Sequence, residues 1–252
     1  MKGAATLTYR HEPDSDPVTM NFVVRTPREE WRVQTLSTKE PETFQWLRGL
    51  TAADTLFDVG ANIGVYSIFA AMARGARVVA FEPEALNYAA LNENIAANPG
   101  LDDRVVAFCL AASNRNDMTR LNLSEVSIGS SGHSLTSEVG YFLEPRPAAF
   151  KQGAMAARLA MLVVGGVIPQ PTAIKIDVDG FEHEVVEGLG TVLYDTRTLC
   201  IEVNPAIPQH VDMVNRLTES SGYGFKLDAG QVARATRTEG QFKGVAEHIF
   251  YR

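Results

Sequence analysis

The sequence predicts an α/β unit built on a largely parallel β-sheet, and three observations point there. Between Thr55 and Arg104, short apolar, β-rich runs alternate with segments of helical spacing over brief connections, the pattern of strands joined by helical crossovers. The first two runs stop at polar or glycine-bearing strings, Gly60 to Gly64 and Glu82-Pro83. A chain of 252 residues, 45% hydrophobic and 21% charged, is long enough to bury one such sheet as a single domain.

Residues 1–50 read as an N-terminal extension, with a small strand-and-helix cap from Met20 to about Gly49, and residues 51–252 as the main domain. In the main domain TLFDV is the first strand, IGVYSIFAAMAR a helix and ARVVAFEP the second strand, ending at Pro83. A helix from about Glu84 to Ala97 closes at Asn98-Pro99-Gly100. RVVAFCLAA is the third strand. Residues Asn114 to Gly140, rich in Ser, Asn and Gly, read as an irregular loop over a site. The stretch Pro147 to Val164 reads as a helix, TAIKIDVDG as the fourth strand, FEHEVVEGLGTVLY as a crossover helix and TLCIEVNP as the fifth strand. A helix over Gln209 to Ser221 and two closing strands, GYGFKLD and AEHIFYR, complete the chain.

Composition narrows the function. A net charge of -7 argues against a surface built to neutralise phosphates, so no nucleic-acid partner is expected. Cys109 and Cys200 sit in apolar runs and read as buried thiols, and no Cys/His cluster has zinc spacing. The first residues lack the apolar core of a secretory signal and no window is apolar enough to span a bilayer. The expectation is a cytoplasmic protein without a membrane partner, its oligomeric state open to a homodimer.

In open α/β sheets, ligands sit at the carboxyl ends of the strands. Gly60 and Gly64 there allow a tight turn and close approach of a ligand to a helix N-terminus, and their spacing differs from the dinucleotide fingerprint. Glu82, ending the second strand, suits the two hydroxyls of a ribose and disfavours a 2′-phosphate. In IKIDVDG, strand alternation puts Lys175, Asp177 and Asp179 on one face, where buried charge must be paired or used. Either a Lys175–Asp177 ion pair or a site at the sheet's mouth follows. Glu202 and Asn204 end the neighbouring strand. His133, among Ser130, Ser131 and Ser134, is a candidate base, whereas His183 reads as structural.

The strings FDVGANIGVYS, AFEP, IKIDVDGFEHEVVEG and IEVNP together resemble the FkbM-type methyltransferase family. KEPETFQWLRGL is similar to its lead-in, extending the resemblance from about Val18 to the end. The resemblance implies a Rossmann-like class I methyltransferase fold: a mostly parallel seven-stranded sheet with helices on both faces and an antiparallel last strand. It implies S-adenosylmethionine as cofactor and S-adenosylhomocysteine as product. Carried onto this chain, the cofactor positions are Asp58, Gly60, Ala61, Asn62, Gly64, Tyr66 and Ser67, where the glycine turn faces the methionine moiety, then Glu82 and Pro83 at the ribose, and Asp177 between cofactor and acceptor. One departure stands out: relatives often carry an acid in a Leu-Asp-Asp-like segment before the fourth strand, where this chain has Ala160 and Met161.

The expected reaction is in-line methyl transfer to oxygen on a small metabolite, sugar or polyketide, with Asp177, helped by Asp179 or His133, orienting and deprotonating the acceptor. A divalent metal on Asp177, Glu202 and Asn204 is compatible with the sequence but not required by it. A nicotinamide-dependent oxidoreductase would share the βαβ unit but needs a longer glycine motif and a Tyr-x-x-x-Lys-type pair, and a non-catalytic nucleoside-binding module would lack the charges on strands four and five. Base N-methylation is disfavoured, because Asn204-Pro205 lacks the Pro and aromatic residue that follow in that motif.

Overall fold

The structure is a computed structural model that describes residues 3–12 and 15–252. Its centre is the predicted βαβ unit: β3 (Thr55–Val59), α3 (Val65–Arg74), β4 (Arg77–Phe81), α4 (Ala85–Ala96) and β5 (Val105–Phe108). After an excursion, β10 (Ala173–Ile176), α6 (Glu182–Leu189), β11 (Thr198–Val203), α7 (Pro208–Thr218), β12 (Lys226–Leu227), α8 (Ala229–Ala235) and β13 (Ala246–Tyr251) complete the sheet. The seven strands lie in the order β12-β13-β11-β10-β3-β4-β5. The five from β11 to β5 are parallel, and β13 runs antiparallel to both β11 and β12. This is the mostly parallel sheet with an antiparallel last strand that the resemblance implies.

The continuous apolar runs follow from burial on both faces. On one face Leu56, Ala80 and Cys200 pack with Ile68 and Phe69 of α3, Leu91 and Ile95 of α4, and Trp46 and Leu47 of α2 (Pro41–Arg48). On the other, Phe57, Ile174, Leu199 and Ile201 pack with Val185 and Leu189 of α6 and Met213 and Leu217 of α7.

The N-terminal extension contains more order than expected. β1 (Gly3–Tyr9) and β2 (Val18–Val24) form an antiparallel pair of their own. Asn94 of α4 and Asn98 just beyond its end accept from the backbone N–H groups of Val23 and Asn21, and Asn98 also donates to the Asn21 carbonyl. α1 (Pro27–Gln34) starts with a capping box of Thr26 and Glu29, which satisfies otherwise orphaned N–H groups.

The main corrections lie between β5 and β10. RVVAFCLAA is not one strand: β5 ends at Phe108, and the chain leaves the main sheet to form β6 (Ala111–Ala112) in a separate four-stranded sheet, β6-β9-β7-β8. Cys109 falls at that crossing and is exposed, against the expectation of two buried thiols, while Cys200 is buried. The segment read as one loop holds β7 (Asp117–Leu123) and β8 (Ser134–Leu135), and the helix read over 147–164 is β9 (Phe150–Ala157) followed only by the short α5 (Leu159–Val164). Ala and Met favour helix locally, but here a long antiparallel ladder with β7 decides, and Ala154 and Ala156 enter a small core with Leu121 and Leu123. α8 was likewise not foreseen. No helix among the described residues is long and apolar enough to cross a membrane.

Leu199 is fully buried at the centre of β11. Leu199→Ala is expected to lower unfolding stability by about 2–5 kcal/mol, seen as a lower urea midpoint with unchanged denaturant slope.

Candidate active site

The chain's polar strand ends meet where β3, β4, β10 and β11 stop. At Gly60 (φ 80°) a Cβ would stand 1.9 Å from the Asp177 carbonyl oxygen, so only glycine lets the first turn lie against the exit of β10. Asn62 follows in the left-handed region, φ 51°. Its side chain donates to the Ser130 carbonyl at 2.7 Å, and its backbone N–H donates to Glu82 at 2.8 Å. Asp179, also left-handed at φ 57°, accepts from the Gly132 N–H at 2.6 Å. Asp179 therefore stands beyond the strand, which ends at Ile176, and a turn rather than strand alternation sets its direction.

These contacts enclose a cleft of about 420 Å³. Of the sequence-predicted positions, Gly60, Asn62, Glu82, Pro83, His133, Asp177 and Asp179 line it, and Ala61 and Tyr66 line a smaller cavity beside it. Asp58 and Ser67 lie beneath the turn, fully buried and joined by a 2.6 Å hydrogen bond from the serine hydroxyl. Gly64 packs against Leu91 and starts α3 in a left-handed conformation.

The sequence profile of the methyltransferase FkbM domain matches residues 58–227, more than half of the chain. The chain belongs to the FkbM methyltransferase family. Its activity class is S-adenosylmethionine-dependent methyl transfer. A curated relative, hexuronic acid methyltransferase AglP of Haloferax volcanii, is 25% identical over 202 residues, covering 79% of this chain and 76% of the relative. Among solved structures, the methyltransferase FkbM from Methylobacillus flagellatus superposes with a TM-score of 0.55 at 14% identity, over 87% of this chain but 48% of the other. This chain thus spans about half of that protein, and the likeness is one of fold.

The methyltransferase cleft is electrostatically divided. Lys175, buried in β10, lies 3.3 Å from Asp177 and 3.8 Å from Asp58. Burial opposes its charge, but Asp177 and Asp58 hold its pKa well up. Burial pushes Asp177 up too, yet the ammoniums of Lys175 and Lys39 outweigh it and hold the carboxyl at about 2. At Asp179, burial and the Asp177 charge outweigh the Gly132 N–H and the more distant Lys39 ammonium and push the carboxyl to about 7. Burial raises Glu82 to about 7 against the N–H groups of Glu84 and Asn62. His133 is lowered to about 4 by burial and by Arg146 and Arg32.

Several lining residues were not legible in the sequence. Tyr141 donates to Glu202 at 2.6 Å, Arg237 donates to the other oxygen of Glu202 at 3.0 Å, and Phe242 packs edge-on to Tyr141. Trp31, Arg32 and Lys39 arrive from the N-terminal segment. All come from loops or cap elements, where spacing carries little signal. Carboxylate oxygens of Asp177, Glu182 and Glu202 lie within 4.8 Å of one another, but each acid is already engaged. Lys175 neutralises Asp177 and Arg237 neutralises Glu202, while Glu182 accepts from the Val178 and Gly180 N–H groups beside His210. A divalent cation would have to displace all of these. Asn204 accepts from the Ala206 N–H at 3.0 Å.

Lys175→Met removes the cation shared by two buried acids and is expected to cost about 3–5 kcal/mol at pH 7. Asp177 is held below its ordinary value of 3.8, so its pairing stabilises the fold above that pH and is lost as pH falls through about 2. Denaturant titrations should therefore show the deficit of the variant shrinking below about pH 4.

Proposed function

We propose that this protein transfers the methyl group of S-adenosylmethionine to a hydroxyl of a sugar, with Glu82 holding the cofactor ribose and Asp179 taking the acceptor proton. The observation that carries this reading is one continuous cleft with an acid at the glycine turn, Glu82, and a second acid of different environment, Asp179, toward the far wall. Glu82 receives two backbone N–H groups and keeps lone pairs for two ribose hydroxyls.

In the reaction the acceptor oxygen attacks the methyl carbon in line. The carbon–sulfur bond breaks with its electron pair passing to sulfur, which leaves as neutral S-adenosylhomocysteine. The hydroxyl proton passes to Asp179. The protein's contribution is alignment and exclusion of water. Of the three candidate bases, Asp177 stays ionised but is too weak, held at about 2 by its lysines. His133 is held neutral, with its ring nitrogens against Ser124 and Ser130. Asp179 lies near the range that suits a general base at neutral pH. Asp177 then orients the acceptor and faces the sulfonium.

Two observations support a sugar. The relative AglP is named as a hexuronic acid methyltransferase, and the cleft wall carries the exposed rings of Trp31 and Phe242, aromatic faces able to cover the apolar side of a pyranose.

Binding of S-adenosylhomocysteine is expected to tighten as pH rises through about 7, because the ribose hydroxyls need the ionised Glu82 and burial holds its pKa there. Calorimetric titration between pH 6 and 8 should find this dependence in the wild type and not in Glu82→Gln. Asp179→Asn should lower kcat on uronic-acid glycosides about 10²–10⁴-fold with S-adenosylhomocysteine affinity kept, and erase the acid limb of the kcat/KM profile near pH 7. A wild-type kcat in that variant overturns the base assignment.

A further inference from the structure

We propose that Arg32 and Lys39, cations of the N-terminal segment, grip the α-carboxylate of the cofactor's methionine moiety in the small cavity beside the glycine turn. The inference rests on the S-adenosylmethionine reading and concerns residues outside the 58–227 span matched by the family profile.

A separate cavity of about 40 Å³ opens beside the main cleft, lined by Arg32 and Lys39 together with Gly60, Ala61, Tyr66 and Asp177. Arg32, Lys39, Gly60, Asn62 and Asp177 also border the main cleft, so one molecule can occupy both. Glu82 lies across the turn from this cavity, accepting the Asn62 N–H whose residue borders both spaces. A nucleoside held at Glu82 therefore has its 5′ substituent directed along the turn toward the small cavity.

The charges there say what that substituent carries. Lys175 is clasped by Asp58 and Asp177, and Glu40 by Lys39 and the Tyr66 hydroxyl. With Arg32 added, three cations face three acids, a balanced wall suited to a group that bears both charges and no net one. An α-amino acid is such a group, its ammonium toward the acids and its carboxylate toward the cations. Arg32 is the member of the set left over. It donates Nε to the Gly129 carbonyl at 2.7 Å and, among the described residues, enters no ion pair, so its remaining N–H groups are available for a forked contact with a carboxylate. Lys39 adds a second positive charge, and the N-terminus of α3, whose Val65 borders the cavity, adds a favourable dipole. A carboxylate on the acceptor is the competing occupant for these cations, and it separates from the cofactor in a binding assay.

The experiment is calorimetric titration of the full chain with S-adenosylhomocysteine and with 5′-methylthioadenosine, which lacks the amino acid end. Wild type, Arg32→Ala, Arg32→Gln and Lys39→Met are compared. Each variant is expected to bind S-adenosylhomocysteine about 10- to 100-fold more weakly, the range of a charge-assisted contact, and methylthioadenosine within about twofold of wild type, which also reports an intact fold. Equal weakening toward both ligands means the segment only shapes the pocket and overturns the proposal. Unchanged S-adenosylhomocysteine binding also overturns it, and a raised acceptor KM in the same variants would reassign the cations to the acceptor. Failure of the wild type to bind either nucleoside removes the cofactor reading itself.

Discussion

The Lys175 ammonium, buried between Asp58 on β3 and Asp177 at the end of β10, is the contact on which the site depends. Burying a charge is costly, and a buried ammonium and carboxylate with a half-buried second carboxylate are tolerable only when each is neutralised by another. Here the pairing does more than cancel that cost. It ties the exits of two neighbouring parallel strands to one point, and the Gly60 turn packs on the Asp177 carbonyl directly above it. Asp58 is thereby fixed beneath the turn with Ser67. Asp177 remains ionised in the cleft, where it raises the proton affinity of Asp179 a short step along the chain. Two acids separated by one residue thus acquire opposite character because Lys175 is in contact with one and not with the other.

The far wall of the cleft depends on a different device. The segment after β7 is not paired with the main sheet, yet three side chains of the main domain hold it: Asn62 and Asn87 donate to the Ser130 carbonyl, Asn87 accepts from the Gly129 N–H, and Asp179 accepts from the Gly132 N–H. Two of these three residues, Asn62 and Asp179, have positive φ, a conformation that costs free energy in a non-glycine residue and persists where surrounding contacts over-determine it. The strain therefore sits where the glycine turn, the exit of β10 and the loop carrying His133 converge. His133 is a member of this loop network, between Ser124 and Ser130, and burial there beside Arg146 and Arg32 keeps its ring neutral.

How much of this was legible in the sequence differs by element. The βαβ unit and the later strand–helix–strand were, because strands buried on both faces read as apolar runs and their crossovers carry helical spacing. Glu82 and the glycines were legible because they stop those runs. The second sheet was not. After Phe150, β9 is made of Lys, Gln, Gly, Met and Ala, residues with little strand preference, and the ladder that β7 offers makes it a strand. Cys109 looked like a core thiol because nothing local marks the point at which the chain leaves one sheet for another.

The sequence by itself determined the parallel sheet, the glycine turn and the acids at the strand ends, because hydrophobic period and backbone freedom act over a few residues. It also carried the family, through strings that adjoin those strand ends. Only the tertiary structure decided which charges meet. Lys175 against Asp58, Tyr141 and Arg237 on Glu202, and Arg32 and Lys39 over the cavity join residues far apart in the chain, whereas the Lys175–Asp177 pair is already one of the readings of IKIDVDG. Electrostatic environment depends on distance and burial in three dimensions, so the different proton affinities of Asp177, Asp179 and His133 follow from the folded arrangement rather than from their order along the chain.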